Sequence, residues 1–137
     1  MRRARARSGH APSALHNNCS GKHAAMLASA RHLGEPTKGY MAPDHPVQKR
    51  LKQLLAEMSG AELGPSPTGV DGCGIPVHAM PLRSLARAIA RLARPDVLAS
   101  ARAEAARSVI AAMTRHPRLV SGAGQFDTEA MAEGAGR

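Results

Sequence analysis

The stretch HNNCSGKHAAML, His16–Leu27, changes character halfway along. Its first half is polar and sets Cys19 behind two asparagines and ahead of a Ser-Gly pair, while its second half runs into alanine, methionine and leucine. Such a junction reads as a loop feeding a helix. Cys19 or Ser20 stands near the N-cap, Ala24, Met26, Leu27 and Ala30 follow in a helical pattern to about Leu33, and Gly34 lies past the end. The chain's other cysteine, Cys73, sits in VDGCGIP, where glycine and proline are too dense for a helix. Thr68–Val70 and Ile75–His78 read as short strands flanking the loop 71–74. Both cysteines therefore fall in loops beside glycine and polar groups, where a rigid scaffold can present reactive side chains.

Working outward, DHPVQKRLKQLLAEMSG predicts a second helix. Asp44 can cap it, Pro46 falls in the first turn where its missing N–H costs nothing, and Val47, Leu51, Leu54, Leu55 and Met58 recur on one face before Gly60 stops it. Leu82, Leu85, Ile89 and Leu92 form an apolar stripe over 82–93, with arginines on the other face. Asp96 is expected to open a long helix reaching about Arg115. The segment RHPRLVSGAGQFDT reads as a loop in which His116–Pro117 fixes the preceding helix end. Asp127 or Thr128 then caps a short last helix.

Composition narrows the class. A chain of 137 residues can bury a real core. Tyr40 and Phe126 are its only aromatic residues other than histidine, so that core must be built from Ala, Leu, Ile, Val and Met. The net charge of +9 raises nucleic acid as a partner. Its distribution argues against one: Arg2, Arg3, Arg5 and Arg7 crowd the start, the other cations are strung along helices or scattered, and aromatic groups for base stacking are missing. The N-terminal MRRARARSGHAPSA has positive charge without a following apolar segment, unlike a secretory signal. No run approaches the ~18 apolar residues of a membrane span. Two cysteines make no disulfide framework, and the expected location is cytoplasmic.

Spacing excludes two mechanisms for the opening stretch. A phosphate-binding loop would need glycine five residues before Gly21 and Ser or Thr after Lys22, where His16 and His23 stand. A zinc finger needs paired ligands, and neither cysteine has a Cys-x-x-Cys partner. Three readings stay open. Cys19 can be a nucleophile, made more acidic by the helix N-terminus and Lys22, with His23 as base. Cys19, Lys22 and His23, one helical turn apart, can converge with Cys73 on a metal, provided that Lys22 is neutral and has a lone pair to give. Or the two thiols are unconnected and the lysine simply solvated. Asn17 and Asn18 can donate to a carboxylate or satisfy loop backbone, and the second reading is preferred.

Four blocks taken in order, LHNNCSGKHAAMLA, HPVQ, VDGCGIPVHAMPLRSLARAIA and RHPRLVSGAGQFDT, resemble the bacterial L-asparaginase II family, the Rhizobium-type asparaginases, over about Ser13–Gly134. The resemblance implies an amidohydrolase that converts L-asparagine and water to L-aspartate and ammonia. It implies an α/β fold similar to serine β-lactamases and glutaminases, and a zinc site whose ligands map onto Cys19, Lys22 and Cys73. Within the same motifs Asp71 becomes the candidate for the substrate's α-ammonium group, and His23 a second candidate at the substrate.

The family's Ser-x-x-Lys element does not occur between residues 1 and 137: Ser13 is followed three residues on by His16, Ser20 by His23 and Ser84 by Arg87. Such a pair works because a neutral lysine one turn away takes the serine's proton. The catalytic residues are thus unassigned. Residues 1–12 are expected to be a basic disordered leader and residues 13–137 a helix-rich α/β fragment lacking the family's N- and C-terminal portions, weakly active or inactive alone. The alternative is a non-enzymatic zinc- or partner-binding remnant. Open sheet edges and unburied apolar stripes also leave room for a homo-oligomer.

Overall fold

Helices carry most of the chain, and a single antiparallel hairpin supplies the strands seen among the described residues of this computed structural model, which are 11, 13–65 and 67–134. Apart from Ala11, the stretch 1–12 expected to be a basic leader lies outside the described residues. The chain divides into two compact units, one taking in Pro12–Ala88 and the other the residues from Ile89 onward.

In the first unit a 3₁₀ turn over Ala14–His16 precedes helix α1, Ser20–His32, and helix α2 spans Pro46–Ser59. Strands β1, Gly69–Val70, and β2, Pro76–Val77, pair with Gly69 opposite Val77 and Val70 opposite Pro76. Helix α3, Leu82–Ala93, follows and runs across the boundary of the units. Met26 of α1, Val47 of α2 and Ile75 of the hairpin loop form the core, with Tyr40, Leu51 and Cys73 packed against it. These three residues come from segments far apart in sequence, so their contact fixes α1, α2 and the hairpin together. Each buried aliphatic side chain stabilises by roughly 1.5–3 kcal/mol.

The cap of α2 differs from expectation. His45, not Asp44, is the N-cap: its Nδ1 accepts from the Val47 N–H at 3.2 Å, and its Nε2 donates to the Pro36 carbonyl at 2.8 Å. Pro46 is the reason, since its fixed φ suits the first helical position and makes the residue before it the cap. Gly60 ends the helix in the left-handed region, φ 65°, where a Cβ would come within 2.7 Å of the Arg87 guanidinium. Of the α2 stripe only Val47 is fully buried, and Leu51, Leu54, Leu55 and Met58 are half-buried. On α3 the face that is buried is Ala88, leaving Leu82, Leu85 and Ile89 exposed.

In the second unit, the expected long helix from Asp96 is interrupted. Pro95–Val97 forms a 3₁₀ turn, Leu98 and Ala99 are extended, and helix α4 runs over Ser100–Arg115. Asp96 does not cap it: Ala99 stands at the N-cap, and the Asp96 carboxylate accepts from the Arg107 guanidinium at 2.7 Å. The predicted loop after Arg115 contains a helical turn, α5, Pro117–Val120, with Pro117 again in the starting position that proline favours. The last helix, α6, begins at Phe126 and ends at Gly134, so neither Asp127 nor Thr128 is its cap. Thr128 is buried and ties its hydroxyl to the Gly122 carbonyl. Ala103 and Ala106 are the buried apolar residues of α4. Among the described residues no helix is long and apolar enough to cross a membrane.

Candidate metal and substrate site

Cys19 is the N-cap residue of α1, but its side chain makes no capping bond, which leaves the thiol available. The backbone around it is held locally: the Asn17 side-chain oxygen accepts from the Cys19 N–H at 2.8 Å, and the Cys19 carbonyl accepts from the His23 N–H at 3.1 Å. Asn17 thus serves the loop backbone, as its position in the sequence suggested. Lys22 follows one helical turn on, so it rises on the same side of α1 as Cys19.

The second half of the site is the hairpin loop. The Asp71 N–H donates to the Ile75 carbonyl at 2.9 Å and the Gly74 N–H to the Asp71 carbonyl at 2.8 Å. Gly74 closes the turn at φ 88°, a conformation that L side chains rarely adopt. Ile75, buried in the core, anchors this loop against α1 and α2. Two residues of the turn, Asp71 and Cys73, are thereby delivered to the start of α1.

One thiol sulfur from each segment and one Asp71 carboxylate oxygen lie within 4.8 Å of one another. Asp71 uses both oxygens: Oδ1 accepts from the Gly72 N–H at 2.7 Å, and Oδ2 meets Lys22 Nζ at 3.2 Å and the Cys73 thiol at 3.5 Å. Cys19, Lys22 and Cys73 are therefore brought together, with Asp71 in their midst. His23 is not in that group. Its ring Nδ1 meets the Tyr40 hydroxyl at 2.5 Å, and the two rings pack edge to face with centroids 5.7 Å apart.

The charges are interlocked. The Gly72 N–H, then Lys22 and Cys73, hold the Asp71 carboxyl below its usual range. For Lys22 partial burial favours the neutral amine, but hydrogen bonding to Asp71 and Cys73 and the nearby thiols outweigh it and raise the ammonium's pKa. The hydrogen bond with Cys73, followed by burial, pushes the Cys19 thiol up despite the pull of Lys22. This is the reverse of the activation that a helix N-terminus and a lysine were expected to give, and with His23 engaged by Tyr40 the arrangement does not favour a Cys19–His23 nucleophile and base.

Sequence reading paired Cys19 and Cys73 and named Asp71 beside them; the structure sets the Asp71 carboxylate close to both thiols and to Lys22. The Asp-x-Cys spacing in a tight turn was the available signal for this closeness, because alternate residues of a hairpin end can face the same way. Sequence reading missed His78, which with Lys22, Met26, Gln48, Leu51 and Lys52 lines a mostly apolar cavity of about 690 Å³. The His78 Nδ1 is buried there with no hydrogen-bond partner among the described residues, and burial, then Lys52, lowers its pKa. Lys22 belongs both to the thiol–carboxylate cluster and to the wall of this cavity.

The donor chemistry fits a borderline-soft divalent metal such as zinc, which takes thiolates readily and accepts a carboxylate or a neutral nitrogen as a further ligand. A family model described as L-asparaginase II matches residues 1–137. No curated protein matches the chain.

Proposed function

The chain belongs to the L-asparaginase II family, and from that premise we propose that its clustered loops bind zinc and orient L-asparagine for hydrolysis to L-aspartate and ammonia. The observation that carries the reading is the convergence of Cys19 and Lys22 with Asp71 and Cys73, from segments about 50 residues apart, onto one site. Its helices and hairpin are read as part of a serine β-lactamase/glutaminase-like fold.

Cys19 and Cys73 would hold the metal as thiolates. Lys22 is the third ligand that the family pattern assigns, and Asp71 is already among the donors. The ion pair sets these two in competition: Lys22 can offer a lone pair only after it gives up the proton that Asp71 stabilises. Release of Lys22 from Asp71 leaves the carboxylate free to take the α-ammonium group of an amino-acid substrate. If Lys22 stays charged, Asp71 is the ligand and the ammonium fixes its orientation. A bound zinc would supply Lewis-acid polarisation and charge stabilisation.

No serine between residues 1 and 137 has lysine three positions on, so no nucleophile is activated in the Ser-x-x-Lys manner within this sequence. Residues 1–137 by themselves are accordingly expected to release ammonia from L-asparagine far more slowly than the usual ~1–10³ s⁻¹. Ammonia release, zinc content and L-asparagine binding, measured together on the purified 137-residue chain, test this. Turnover in the usual range would refute the low-activity reading. Absence of both zinc and L-asparagine binding would refute the site itself, and zinc binding without substrate binding would favour a metal-binding protein without amidohydrolase activity.

A further inference from the structure

We infer that Cys19 and Cys73 are a reversible dithiol–disulfide couple, closed by low-molecular-weight disulfides of the glutathione type. Three observations carry it. The sulfurs lie within 4.8 Å of each other, although the residues are far apart in sequence, and each is half-buried, so both remain within reach of a small oxidant. Each sits in a loop whose backbone is already tied, Cys19 by the Asn17 side chain and Cys73 by the turn from Asp71 to Ile75. They are the only cysteines in the chain, so one intramolecular pairing exists and no third thiol can divert it.

The chemistry balances as two exchange steps. The thiolate of one cysteine attacks a sulfur of the oxidised disulfide, forming a mixed disulfide and expelling one thiolate. The second cysteine, as thiolate, attacks the protein sulfur of that mixed disulfide and expels the other. Two electrons pass from the cysteine pair to the oxidant, and the two protons lost by the cysteines end on the two small thiols released. Closing the bond removes both soft donors from the cluster, leaving the Lys22–Asp71 pair. Regulation of zinc occupancy by this couple rests on the metal reading above, whereas the couple itself does not.

The test uses the full 137-residue chain, stripped of metal with a chelator and equilibrated with oxidised and reduced glutathione in varied ratio. The expected result is loss of both free thiols together, a mass lower by two hydrogens, a linked Cys19–Cys73 peptide on digestion, and full reversal by dithiothreitol. Cys19→Ser and Cys73→Ser should each hold a stable glutathione adduct on the remaining cysteine, since the resolving thiol is gone. Persistent thiols, intermolecular dimers, or stable glutathione adducts on the unaltered chain would overturn the inference. Zinc is then offered to the reduced chain in a separate arm. If it protects the thiols from oxidation, it supports the couple as a switch; if zinc fails to bind while the disulfide forms, the metal reading fails and the couple stands.

Discussion

Among the described residues, the buried apolar side chains of the unit Pro12–Ala88 include Met26, Val47 and Ile75, drawn from α1, α2 and the hairpin; from Ile89 onward they are Ala103 and Ala106 of a single helix. The first arrangement ties distant segments together, and the candidate site lies where two of those segments end. In the second unit Leu119 and Phe126 are 86% and 85% exposed, and Leu92, Leu98, Ile110 and Met131 are half-buried. A reactive cluster needs its loops held at a fixed distance by packing against segments distant in sequence, and in the first unit Ile75 supplies that for the Cys73 turn. Chemistry and long-range packing therefore occur together here for a physical reason, because Ile75 is at once a core residue and the neighbour of the Cys73 turn.

The sharpest way to break this contrast is at the thiols. Cys19→Ser and Cys73→Ser are each expected to lower zinc affinity by more than the roughly 10–100-fold typical of losing an outer-shell partner, because a direct donor is removed. Elemental analysis after dialysis, with a competing chelator to set the scale, measures it. Full occupancy in both variants would show that the loops meet without forming a metal site.

Next comes the packing itself. Val47 is only 2% exposed, so Val47→Ala should destabilise the protein by about 2 kcal/mol through lost burial and the cavity left behind. Phe126→Ala, despite removing far more carbon, should change stability by no more than about 0.5 kcal/mol, because that ring is already in solvent. Chemical denaturation of the two variants beside the parent gives both values, and a Phe126 variant that loses more than the Val47 variant would reverse the comparison.

Local signals read cleanly from sequence wherever one residue dominates its own backbone. Gly60 and the Leu82–Ala93 stripe set element ends to within a residue or two, and the Gly-rich turn between the strands lies where expected. Reading failed where two local rules compete. Asp44 is a good cap by type, but Pro46 fixes the first helical position and hands the cap to His45. Asp96 is a good helix opener, but it opens only the short turn Pro95–Val97, and extended Leu98 separates that turn from α4. The site was legible as a pair of cysteines and a lysine. The place of Asp71 between them was not, since it depends on the packing of Ile75 into a core that no local pattern reports.

The His45 cap offers a smaller test. His45→Ala removes an acceptor for the Val47 N–H and a donor to the Pro36 carbonyl, both at a largely buried position, and should cost about 1–2 kcal/mol. Asp44→Ala, at the position that sequence alone favours, should cost nearly nothing. Equal losses in the two variants would mean that the cap is shared.

The smallest expected effect is the pH dependence of the Lys22–Asp71 pair, whose side chains are 40% and 43% exposed. Asp71 has a folded-state pKa below its unfolded value, the Gly72 N–H being the first cause and Lys22 the next. The unfolded chain therefore binds the proton more readily, so Asp71 contributes stability that is present above the ordinary aspartate value of about 4 and is lost as pH falls through the lower folded value. Lys22 gives the mirror case: burial pulls its pKa down, but the hydrogen bonds to Asp71 and then Cys73 outweigh burial and leave it raised. Its contribution is complete below the ordinary lysine value of about 10.4 and disappears as pH rises through the higher folded value. Asp71→Asn should then flatten the acid limb attributable to this pair and shift the Lys22 limb toward lower pH, with an effect that shrinks as salt is added because the pair faces water. The Glu35–Arg50 pair, in which Arg50 likewise lowers the Glu35 pKa, should keep its own acid limb in that variant and so serves as an internal control. Stability followed across pH at two ionic strengths reads all of this, and an Asp71→Asn variant whose acid and alkaline limbs both match the parent would show that Asp71 is not held by Lys22 in solution.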